Sequence, residues 1–515
     1  MRHKLSSNER EFAYNRDLQL QLTASHMQKR RTKIIATLGP ATDSLEVLKA
    51  LIKAGADVFR INLSHGTRTE HSASVQRVRE AALALGKEVA ILADLRGPKV
   101  RVERFADGPV ELEAGDTFTL DTSDEPAAGD QNRIGVSYKG LGQDVSPGSL
   151  LLFDDGLVTM RVIETRPTEV VCKVEAGGVL RDRKGINVLG GGLSLPGIAE
   201  HDLEDISHAA GMGVDYLAVS FPRNAHDMHE ARRRLREAGS QARLVAKIER
   251  SEAIENLEEI IAASDAVLIA RGDLGVEIGD AKLPGLQKMI TSKSLEQNCI
   301  VITATQMMQS MIESPIPTRA EVLDVANSVF DGTDAVMLSA ETAVGKHPVT
   351  VVEAMHRICV GAERHNETRL DCSNLNVQFQ RIDQAIAMAA MFMAQNVSVQ
   401  AIVALTESGS TAQWLSRVRT AVPIYALSTQ SDSLRRMALY RGVYPVAHDF
   451  HGTDVEQALL EGMRILLEQG QIKAGDRIIM TMGEQTRNAG GTNSLRLVQV
   501  GADGYVEYSP SLDNH

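Results

Sequence analysis

Short apolar runs alternate with amphipathic helical stretches along much of the chain. From Thr32 onward, each run is followed by a polar or glycine-rich stop and then by a helical pattern, as at 44–54, 68–85, 201–212, 226–238 and 253–263. Strands that alternate with helices in this way pair in parallel. The eight runs are KIIATLG (33–39), VFRINLS (58–64), VAILADL (89–95), YLAVSF (216–221), RLVAKIE (243–249), AVLIARGD (266–273), CIVITAT (299–305) and AVMLSAE (335–341).

Eight strand–helix units are the number that closes a (β/α)8 TIM barrel, so the pattern predicts an α/β barrel formed by residues 32–97 and 197–370. An open doubly wound sheet is the alternative, but no GxGxxG follows the first run.

The segment between the third and fourth runs differs from the rest in composition and in its hydrophobic pattern. Residues 98–196 are rich in Val, Thr, Gly and Asp, with alternating runs such as KVRVERF and EVVCKVEA. This composition predicts a small β-barrel domain inserted after the third strand. Loops at that end of a barrel strand open onto the catalytic face, so the insert can act as a lid.

Two further segments flank the barrel. Residues 371–515 carry a second α/β series, with strands predicted at 401–405, 423–427, 442–446, 476–480 and 495–500, which indicates an independent open-sheet domain. Residues 1–31 are polar and are predicted to form an appended helix or arm. The basic end of this arm, Lys29 to Arg31, is predicted to be a solvated cluster.

Composition narrows the class of function. The net charge of −12 argues against general binding of nucleic acid or anionic membranes, since repulsion opposes both. The four cysteines lie far apart without a Cys-x-x-Cys motif, which indicates neither a disulfide framework nor a zinc site. No apolar run approaches a membrane span and the N-terminus lacks a signal-peptide core. We therefore expect a cytoplasmic enzyme.

The strand at 243–249 carries the most informative chemistry. Lys247 and Glu249 follow an apolar run and share one face, because side chains at i and i+2 of a strand point the same way. Alone, this pair would be read as a structural ion pair. Other predicted strands, however, also end in polar groups: Arg60, Asn62 and Ser64; Asp94; Arg271 and Asp273; Thr303 and Thr305; Ser339 and Glu341.

These residue types favour metal-assisted phosphoryl chemistry. Glu249 and Asp273 on adjacent strands can share a Mg²⁺ ion, which prefers few carboxylates. Lys247 and Arg60 can neutralise a phosphoryl group in transfer. The backbone N–H groups that begin at Gly272 suit a carboxylate, as at a helix N-terminus. For Asp273 alone, capping of the next helix is an equally good interpretation.

Taken together, these segments closely resemble the pyruvate kinase family. The matching stretches include KIIATLGPAT, FRINLSHG, DLRGPKVR, DDGLV, RKGIN, VSFPR, VAKIER, ARGDLGVE, TATQMMQSM and PTRAEVLDVANSVFDGTDAVMLSAETAVGKHP, and more loosely LTESGSTA. The resemblance implies transfer of the phosphoryl group of phosphoenolpyruvate to ADP, which yields pyruvate and ATP, with Mg²⁺ or Mn²⁺ as cofactor. It also implies the arrangement of barrel, lid and C-terminal domain, and a homotetramer.

The resemblance assigns roles to individual positions. Lys247 and Arg60 would act on the phosphoryl group, with Thr305, Ser339 and Glu341 in the relay that protonates the enolate. Glu249 and Asp273 would hold the metal. The remaining assignments are Gly272, Asp273 and Thr305 for the substrate carboxylate, and Asn62, His65, Arg101 and Lys184 for the nucleotide.

One departure from the family pattern concerns potassium. Potassium-dependent members carry threonine and glutamate where this chain has Leu95 and Lys99. Asn62, Ser64 and Asp94 could still ligate a cation, but the tethered ammonium of Lys99 could supply the same positive charge. We therefore expect catalysis that does not require K⁺.

The C-terminal domain has its own signal. A hydroxyl-rich turn joins a predicted strand to a helix and can cradle a phosphate, although an ordinary helix cap is the alternative. Its residues are Thr406, Ser408, Gly409, Ser410 and Thr411. In relatives this turn takes the phosphate of an allosteric effector. Because Glu407 is acidic and the loop 483–491 lacks Gly-Trp-Arg-Pro, we expect a nucleotide or sugar monophosphate.

Two rival functions remain open at this point. A barrel lyase or aldolase that acts on pyruvate enolate would share Glu249 and Asp273, but it has no reason to keep Lys247, Arg101 and a nucleotide lid. A non-catalytic metabolite sensor would use only the C-terminal domain.

Overall fold

Eight parallel strands close into a barrel, as the pattern predicted. The computed structural model describes residues 29–365, 379, 381–417, 420–449, 454–483, 491–501 and 506–507. The strands pair in chain order and the eighth pairs with the first. They are Lys33–Thr37, Val58–Asn62, Ala90–Asp94, Tyr216–Val219, Arg243–Ile248, Ala266–Ala270, Ile300–Ala304 and Ala335–Leu338.

The amino-terminal rim of the barrel carries a repeated aspartate bond. An aspartate immediately precedes each even-numbered strand, and its carboxylate accepts the backbone N–H of the second residue of the preceding odd-numbered strand. These bonds tie the strands together in four pairs. They run from Ile34 to Asp57, Ile91 to Asp215, Leu244 to Asp265 and Val301 to Asp334, over 2.7–2.8 Å.

Helices surround the barrel, and four of them begin at polar side-chain caps. Thr67 and Thr318, for example, each form a capping box with a glutamate three residues later. The α-helices of this region are Leu45–Ala54, Arg68–Ala84, Glu200–Gly211, Ala225–Glu237, Ser251–Glu255, Leu257–Ala263, Arg271–Ile278, Leu283–Glu296, Arg319–Asp331, Ala340–Ala343 and Pro348–His365. Short 3-10 helices span Pro40–Thr42, Asp280–Lys282 and Gln309–Ile312. Within the described ranges, no helix has both the length and the apolar character needed to span a bilayer.

The inserted segment forms a separate β domain around its own apolar core. Isolated bridges join Arg101 to Gly185 and Val102 to Val136, so this segment links the two edges of the main sheet and nearly closes it. The six-stranded sheet has the order Ile186–Val188, Leu150–Phe153, Val158–Arg166, Glu169–Ala176, Thr117–Asp121, Arg133–Gly135. A two-stranded sheet pairs Val110–Leu112 with Gly178–Leu180, and a short helix spans Leu141–Asp144.

The C-terminal domain is an open sheet. Its strands follow the order Val443–Ala447, Ile424–Ser428, Ala401–Leu405, Arg477–Gly483, Thr492–Val500, Val506–Glu507, of which the last two are antiparallel to their neighbours. Its helices are Ile382–Asn396, Ser410–Arg417, Ser431–Met437 and Val455–Glu468. The expected domain boundary at 370–371 and most of the loop 483–491 lie outside the described residues.

This domain packs against the amino-terminal rim of the barrel. Arg417 Nη1 lies 2.7 Å from Asp334 Oδ2, and both side chains are almost fully buried. Arg435 Nε lies 2.8 Å from Asp215 Oδ1. The lid and the side chains predicted to form the site lie at the opposite rim, where the strands end.

The expectation that the basic segment 29–31 is solvated is wrong. Arg30 and Arg31 are buried. Arg30 Nη2 lies 2.8 Å from Asp57 Oδ2, and Arg31 donates to the backbone oxygens of Glu363 and Thr420. The segment therefore lies between the barrel and the C-terminal domain, and carboxylates balance the charges of its two arginines. The predicted arm before it, 1–28, lies outside the described residues.

Candidate active site

A partly buried lysine ammonium lies at the carboxyl end of the fifth strand. Lys247 Nζ is 2.9 Å from Glu249 Oε1, 3.3 Å from Asp94 Oδ1 and 2.8 Å from Ser220 Oγ. Burial alone would lower the pKa of Lys247, but the charges of Asp94 and Glu249 outweigh it and raise the pKa above its usual value. The ammonium therefore stays charged across the physiological range.

Arg60 and Asp94 extend this cluster across neighbouring strands. Arg60 Nε lies 2.7 Å from Asp94 Oδ2, and its Nη1 donates to Thr37 Oγ1 over 3.2 Å. Burial opposes ionisation of Asp94, but Lys247 and Arg60 lower its pKa below the usual value. Asp94 thus holds two cations on either side of it and fixes their positions.

Glu249 and Asp273 form the acidic side of the site. Glu249 lies just after the fifth strand, is 2% exposed and accepts the Phe221 N–H over 2.9 Å. Burial, together with the charge of Asp273, raises the pKa of Glu249 to about 7 against the opposing charge of Lys247. Asp273 lies in the first turn of the helix Arg271–Ile278.

The two carboxylates fit a divalent cation. Their mutual repulsion, which contributes to the raised pKa of Glu249, is the kind of energy that a metal ion between them would relieve. Within the described ranges, no group of three or more His, Cys, Asp or Glu side chains is arranged to hold a metal. Mg²⁺ is commonly held by one or two carboxylates and takes its other ligands from water and substrate oxygens, so a pair of this kind suits it.

The loop after the seventh strand is held in a strained conformation beside Gly272. Thr305 has a φ of 75°, which is rare for a β-branched residue and costs roughly 1–3 kcal/mol. Arg271 holds it there, since its Nη2 donates to the Thr305 carbonyl over 2.7 Å. A Cβ at position 272 would lie 2.8 Å from Thr305 Cγ2, so the two predicted carboxylate-binding residues are adjacent and glycine is required.

Glu341 and Ser339 lie together after the eighth strand. The Glu341 carboxylate is 1% exposed and accepts two backbone N–H groups, from Ser339 over 2.7 Å and from Met308 over 3.2 Å. Glu341 thereby ties the loop after the eighth strand to the loop after the seventh. This position makes Glu341 a support for the two loops of the site.

The predicted nucleotide residues are divided between barrel and lid. Asn62 ends the second strand, and its Oδ1 accepts the Ser64 N–H over 3.1 Å, whereas His65 is exposed. Arg101 is also exposed, and its Nη1 donates to the Arg183 carbonyl over 3.0 Å.

In the lid, Lys184 Nζ is 2.8 Å from Asp154 Oδ1. The structure does not bring these four groups into one contact network within the described ranges.

The residues assigned to the monovalent cation do not form one cluster either. Leu95 is buried in the core, and Asp94 is engaged by Arg60 and Lys247. Lys99 Nζ lies 2.6 Å from Asp273 Oδ1, so its ammonium contacts one of the two carboxylates predicted to hold the metal. Its positive charge is therefore at the site.

The hydroxyl-rich turn of the C-terminal domain joins a strand to the helix Ser410–Arg417, as expected. Gly409 has a φ of 81°, and its N–H donates to Thr406 Oγ1 over 3.0 Å. Thr411 Oγ1 is buried against Thr492 Oγ1 at 2.6 Å. Ser408 and Ser410 are partly exposed and remain accessible to a ligand.

Ser220 also belongs to this site, although its position in the sequence did not lead to a predicted role. Ser220 is buried, accepts from Lys247 and donates to the Leu95 carbonyl over 2.8 Å. It follows the fourth strand, whose end received no role, although a hydroxyl after an apolar run was a visible signal. Arg271 was noted, but its role as the support of Thr305 was not.

The fold and this site define a class: barrel enzymes that place a lysine, an arginine and paired carboxylates under an inserted lid. The family model described as pyruvate kinase, barrel domain, matches residues 29–352, and that described as pyruvate kinase, alpha/beta domain, matches residues 384–498.

Curated relatives agree with these matches. Pyruvate kinase II of Salmonella typhimurium is 50% identical over 475 residues, which cover 92% of this chain and 99% of that protein. Pyruvate kinase of Haemophilus influenzae is 48% identical, covering 88% and 96%. The crystal structure of a pyruvate kinase from Cryptosporidium parvum superimposes with a TM-score of 0.84 at 35% identity, covering 91% and 96%. The chain belongs to the pyruvate kinase family and is an enzyme of that family.

Proposed function

We propose that this chain transfers the phosphoryl group of phosphoenolpyruvate to ADP, giving pyruvate and ATP, with Mg²⁺ (or Mn²⁺) as the divalent cofactor. The observation that carries the proposal is the partly buried Lys247 ammonium between Asp94 and Glu249, with Arg60 on the other side of Asp94. Two fixed cations beside two carboxylates are suited to a phosphoryl group that develops charge on its oxygens during transfer.

The remaining groups complete the binding of substrate. Glu249 and Asp273 would hold the divalent ion, which supplies charge neutralisation at the phosphoryl and enolate oxygens. The substrate carboxylate would lie against the backbone at Gly272 and the Thr305 hydroxyl. Arg271 keeps Thr305 in place through its carbonyl, so the hydroxyl is oriented before substrate arrives.

Proton delivery to the enolate carbon would use Thr305, Ser339 and Glu341. Both oxygens of Glu341 accept backbone N–H groups, so this carboxylate orients the two loops that carry the hydroxyls. Asn62, His65, Arg101 and Lys184 would bind the nucleotide. Arg101 and Lys184 belong to the lid, so lid closure would bring them to the phosphates.

Lys247→Met tests the proposal. The variant should lose at least about 100-fold in kcat, because one well-placed electrostatic group contributes about 2.7–4 kcal/mol to such a transition state. The assay is formation of ATP from ADP and phosphoenolpyruvate, with Lys139→Met in the lid as the matched control.

Retained turnover in the Lys247→Met variant would refute the assignment. Absence of ATP formation by the unmodified chain would instead favour the lyase, the aldolase or the non-catalytic sensor.

We also propose that turnover does not require K⁺. The support is that Leu95 and Lys99 replace the threonine and glutamate of potassium-dependent members, and that the Lys99 ammonium lies at Asp273. Rates measured in salts free of Na⁺ and K⁺ should match those in KCl. Activation of many-fold by K⁺ would contradict this, and Lys99→Glu should create such a dependence.

Regulation by a phosphorylated effector is proposed at the turn formed by Thr406, Ser408, Gly409, Ser410 and Thr411. Glu407 lies in this turn, and Ser410 Oγ is 3.4 Å from the carboxylate of Asp383, so a monophosphate is favoured over a bisphosphate. Titration with AMP, ribose 5-phosphate, glucose 6-phosphate and fructose 1,6-bisphosphate tests the choice. Activation by the bisphosphate alone would contradict it.

A homotetramer in the cytoplasm completes the proposal. Two separate groups of exposed apolar side chains support it. Ile316 and Leu323, before and within the helix Arg319–Asp331, are 71% and 63% exposed. Ile382 and Phe392, on the helix Ile382–Asn396, are 68% and 47% exposed. Two kinds of interface suffice for a tetramer. Leu323→Glu and Ile382→Glu should each yield dimers in light scattering after gel filtration, and unchanged mass would refute the assignment of these surfaces.

A further inference from the structure

A cavity lined by arginines lies at the amino-terminal rim of the barrel, away from the catalytic end of the strands. It has a volume of about 160 Å³ and lies where the helix Ala225–Glu237 leads into the strand Arg243–Ile248. A single water needs only about 10–15 Å³ on this measure, so the cavity has room for a larger group. Its polar lining consists of Arg232, Arg236, Ser240, Gln241, Arg243 and Arg436.

The lining carries an excess of positive charge. Arg232 Nη1 lies 3.0 Å from Asp265 Oδ2, and Arg243 Nη1 lies 2.8 Å from Asp265 Oδ1. The same carboxylate also accepts the backbone N–H of Leu244 over 2.8 Å. One aspartate thus serves two of the four arginines, which leaves three positive charges in excess around the cavity.

Arg436 reaches the cavity from the C-terminal domain and lacks a full set of partners. Its Nε is buried and has no hydrogen-bond partner among the described residues. The neighbouring Arg435, by contrast, is paired with both Asp215 and Asp432. The Arg436 backbone is fixed, since its carbonyl accepts the Tyr216 hydroxyl over 2.7 Å. The Arg436 guanidinium lines the cavity, so its charge is available to an anion there, although the enclosed Nε does not itself open into the cavity.

We propose that this cavity binds a tetrahedral oxyanion, either inorganic phosphate or the phosphate group of a small monoester. Guanidinium groups match such oxygens through paired N–H donors, and Ser240 and Gln241 add neutral donors. The site is separate from the turn at 406–411, because it is built from different elements. A bound anion joins Arg232, Arg236 and Arg243 of the barrel to Arg436 of the C-terminal domain, so it links the two domains.

The proposed anion site includes a residue of the strand that carries Lys247. Arg243 is the first residue of the strand that carries Lys247, and its backbone N–H donates to the Asp215 carbonyl over 3.0 Å. Binding therefore adds a contact between the C-terminal domain and the base of that strand. The anion should stabilise the arrangement of the two domains.

Equilibrium dialysis of the full chain against ³²P-labelled inorganic phosphate tests the proposal. Arg236→Gln and Arg436→Gln should each raise the Kd of one class of phosphate site by about tenfold or more, since each removes a charge-assisted donor. Arg233→Gln is the matched control. Arg233 is on the same helix but pairs with Glu230 and Glu237 at the exposed surface, and its replacement should change nothing.

A second set of measurements separates this cavity from other phosphate sites. Ser410→Ala alters the turn and Lys247→Met alters the active site, and both should retain the cavity-bound phosphate. Arg436→Lys keeps the charge but loses the paired donors, so it also should bind more weakly, and it serves if Arg436→Gln does not fold. Competition by ribose 5-phosphate would identify a monoester, and its absence would identify the free ion.

The proposal fails if both lining variants bind phosphate as the unmodified chain does. It also fails if only one of them weakens binding, if Arg233→Gln weakens it equally, or if the class of site they affect is the one lost in Ser410→Ala or Lys247→Met.

Discussion

Replacement of Ser220 by alanine removes one of three oxygen groups around the Lys247 ammonium. The hydroxyl lies 2.8 Å from Nζ, closer than the Glu249 and Asp94 carboxylates at 2.9 and 3.3 Å. Without it, the ammonium keeps its charge, because the two carboxylates are what raise its pKa. Its direction, however, is no longer fixed from that side.

The expected cost follows from the strength of a hydrogen bond to a charged group. Such a bond contributes about 1.5–3 kcal/mol, which corresponds to a loss of about 10- to 150-fold in kcat if the ammonium is no longer held in its reactive position. The alanine also leaves the Leu95 carbonyl without its 2.8 Å donor, so the free energy of unfolding should fall by about 1–3 kcal/mol.

The assay is a steady-state measurement of kcat and KM between pH 6 and 9. A positioning role predicts a lower kcat with an unchanged pH profile, since no ionisable group is removed. Ser207→Ala is the control, because Ser207 donates only to a carbonyl of its own exposed helix. A kcat within twofold of the unmodified enzyme would refute the reasoning.

Two further predictions concern buried charges. Burial raises the pKa of Glu277 to about 7, so between pH 4.5 and 7 the folded chain retains a proton that the unfolded chain releases. Stability should therefore decline by up to about 3 kcal/mol as pH rises through this window, and Glu277→Gln should flatten the decline in urea unfolding at pH 5 and 8. Arg417→Met leaves the Asp334 carboxylate buried without its cation, so the free energy of unfolding in urea should fall by about 3–5 kcal/mol. Arg233→Met, the surface control, should lower it by about 0.5 kcal/mol or less.

If the free energy of unfolding declined equally with pH in the unmodified chain and in the Glu277→Gln variant, the first of these two predictions would be contradicted. Equal unfolding midpoints for Arg417→Met and Arg233→Met would contradict the second.

The apolar runs were sufficient to predict the barrel, because each was short, was followed by a helical pattern and recurred eight times. The cluster at the strand ends was also predictable in part. Lys247 and Glu249 share a face by the period of a strand, and parallel strands bring Arg60 and Asp94 to the same rim. These inferences require only local spacing and a closed sheet.

Contacts between distant segments were not predictable in the same way. Arg31 is buried because Glu363, 332 residues later, accepts its backbone N–H. A run of basic residues alone gives no sign of such a partner. Lys99 was expected to supply a positive charge in place of K⁺, but local spacing did not show that its ammonium would contact Asp273, 174 residues later.

The aspartate bonds at the amino-terminal rim explain how the barrel tolerates its large insertion. The lid interrupts the chain between the third and fourth strands, yet Asp215 still secures Ile91 over 2.7 Å and is itself held by Arg79 and Arg435. The amino-terminal end of the barrel is thus held together beside the strand at whose other end the lid interrupts the chain. This support would let the lid move as a unit without loosening the pairing of the barrel strands.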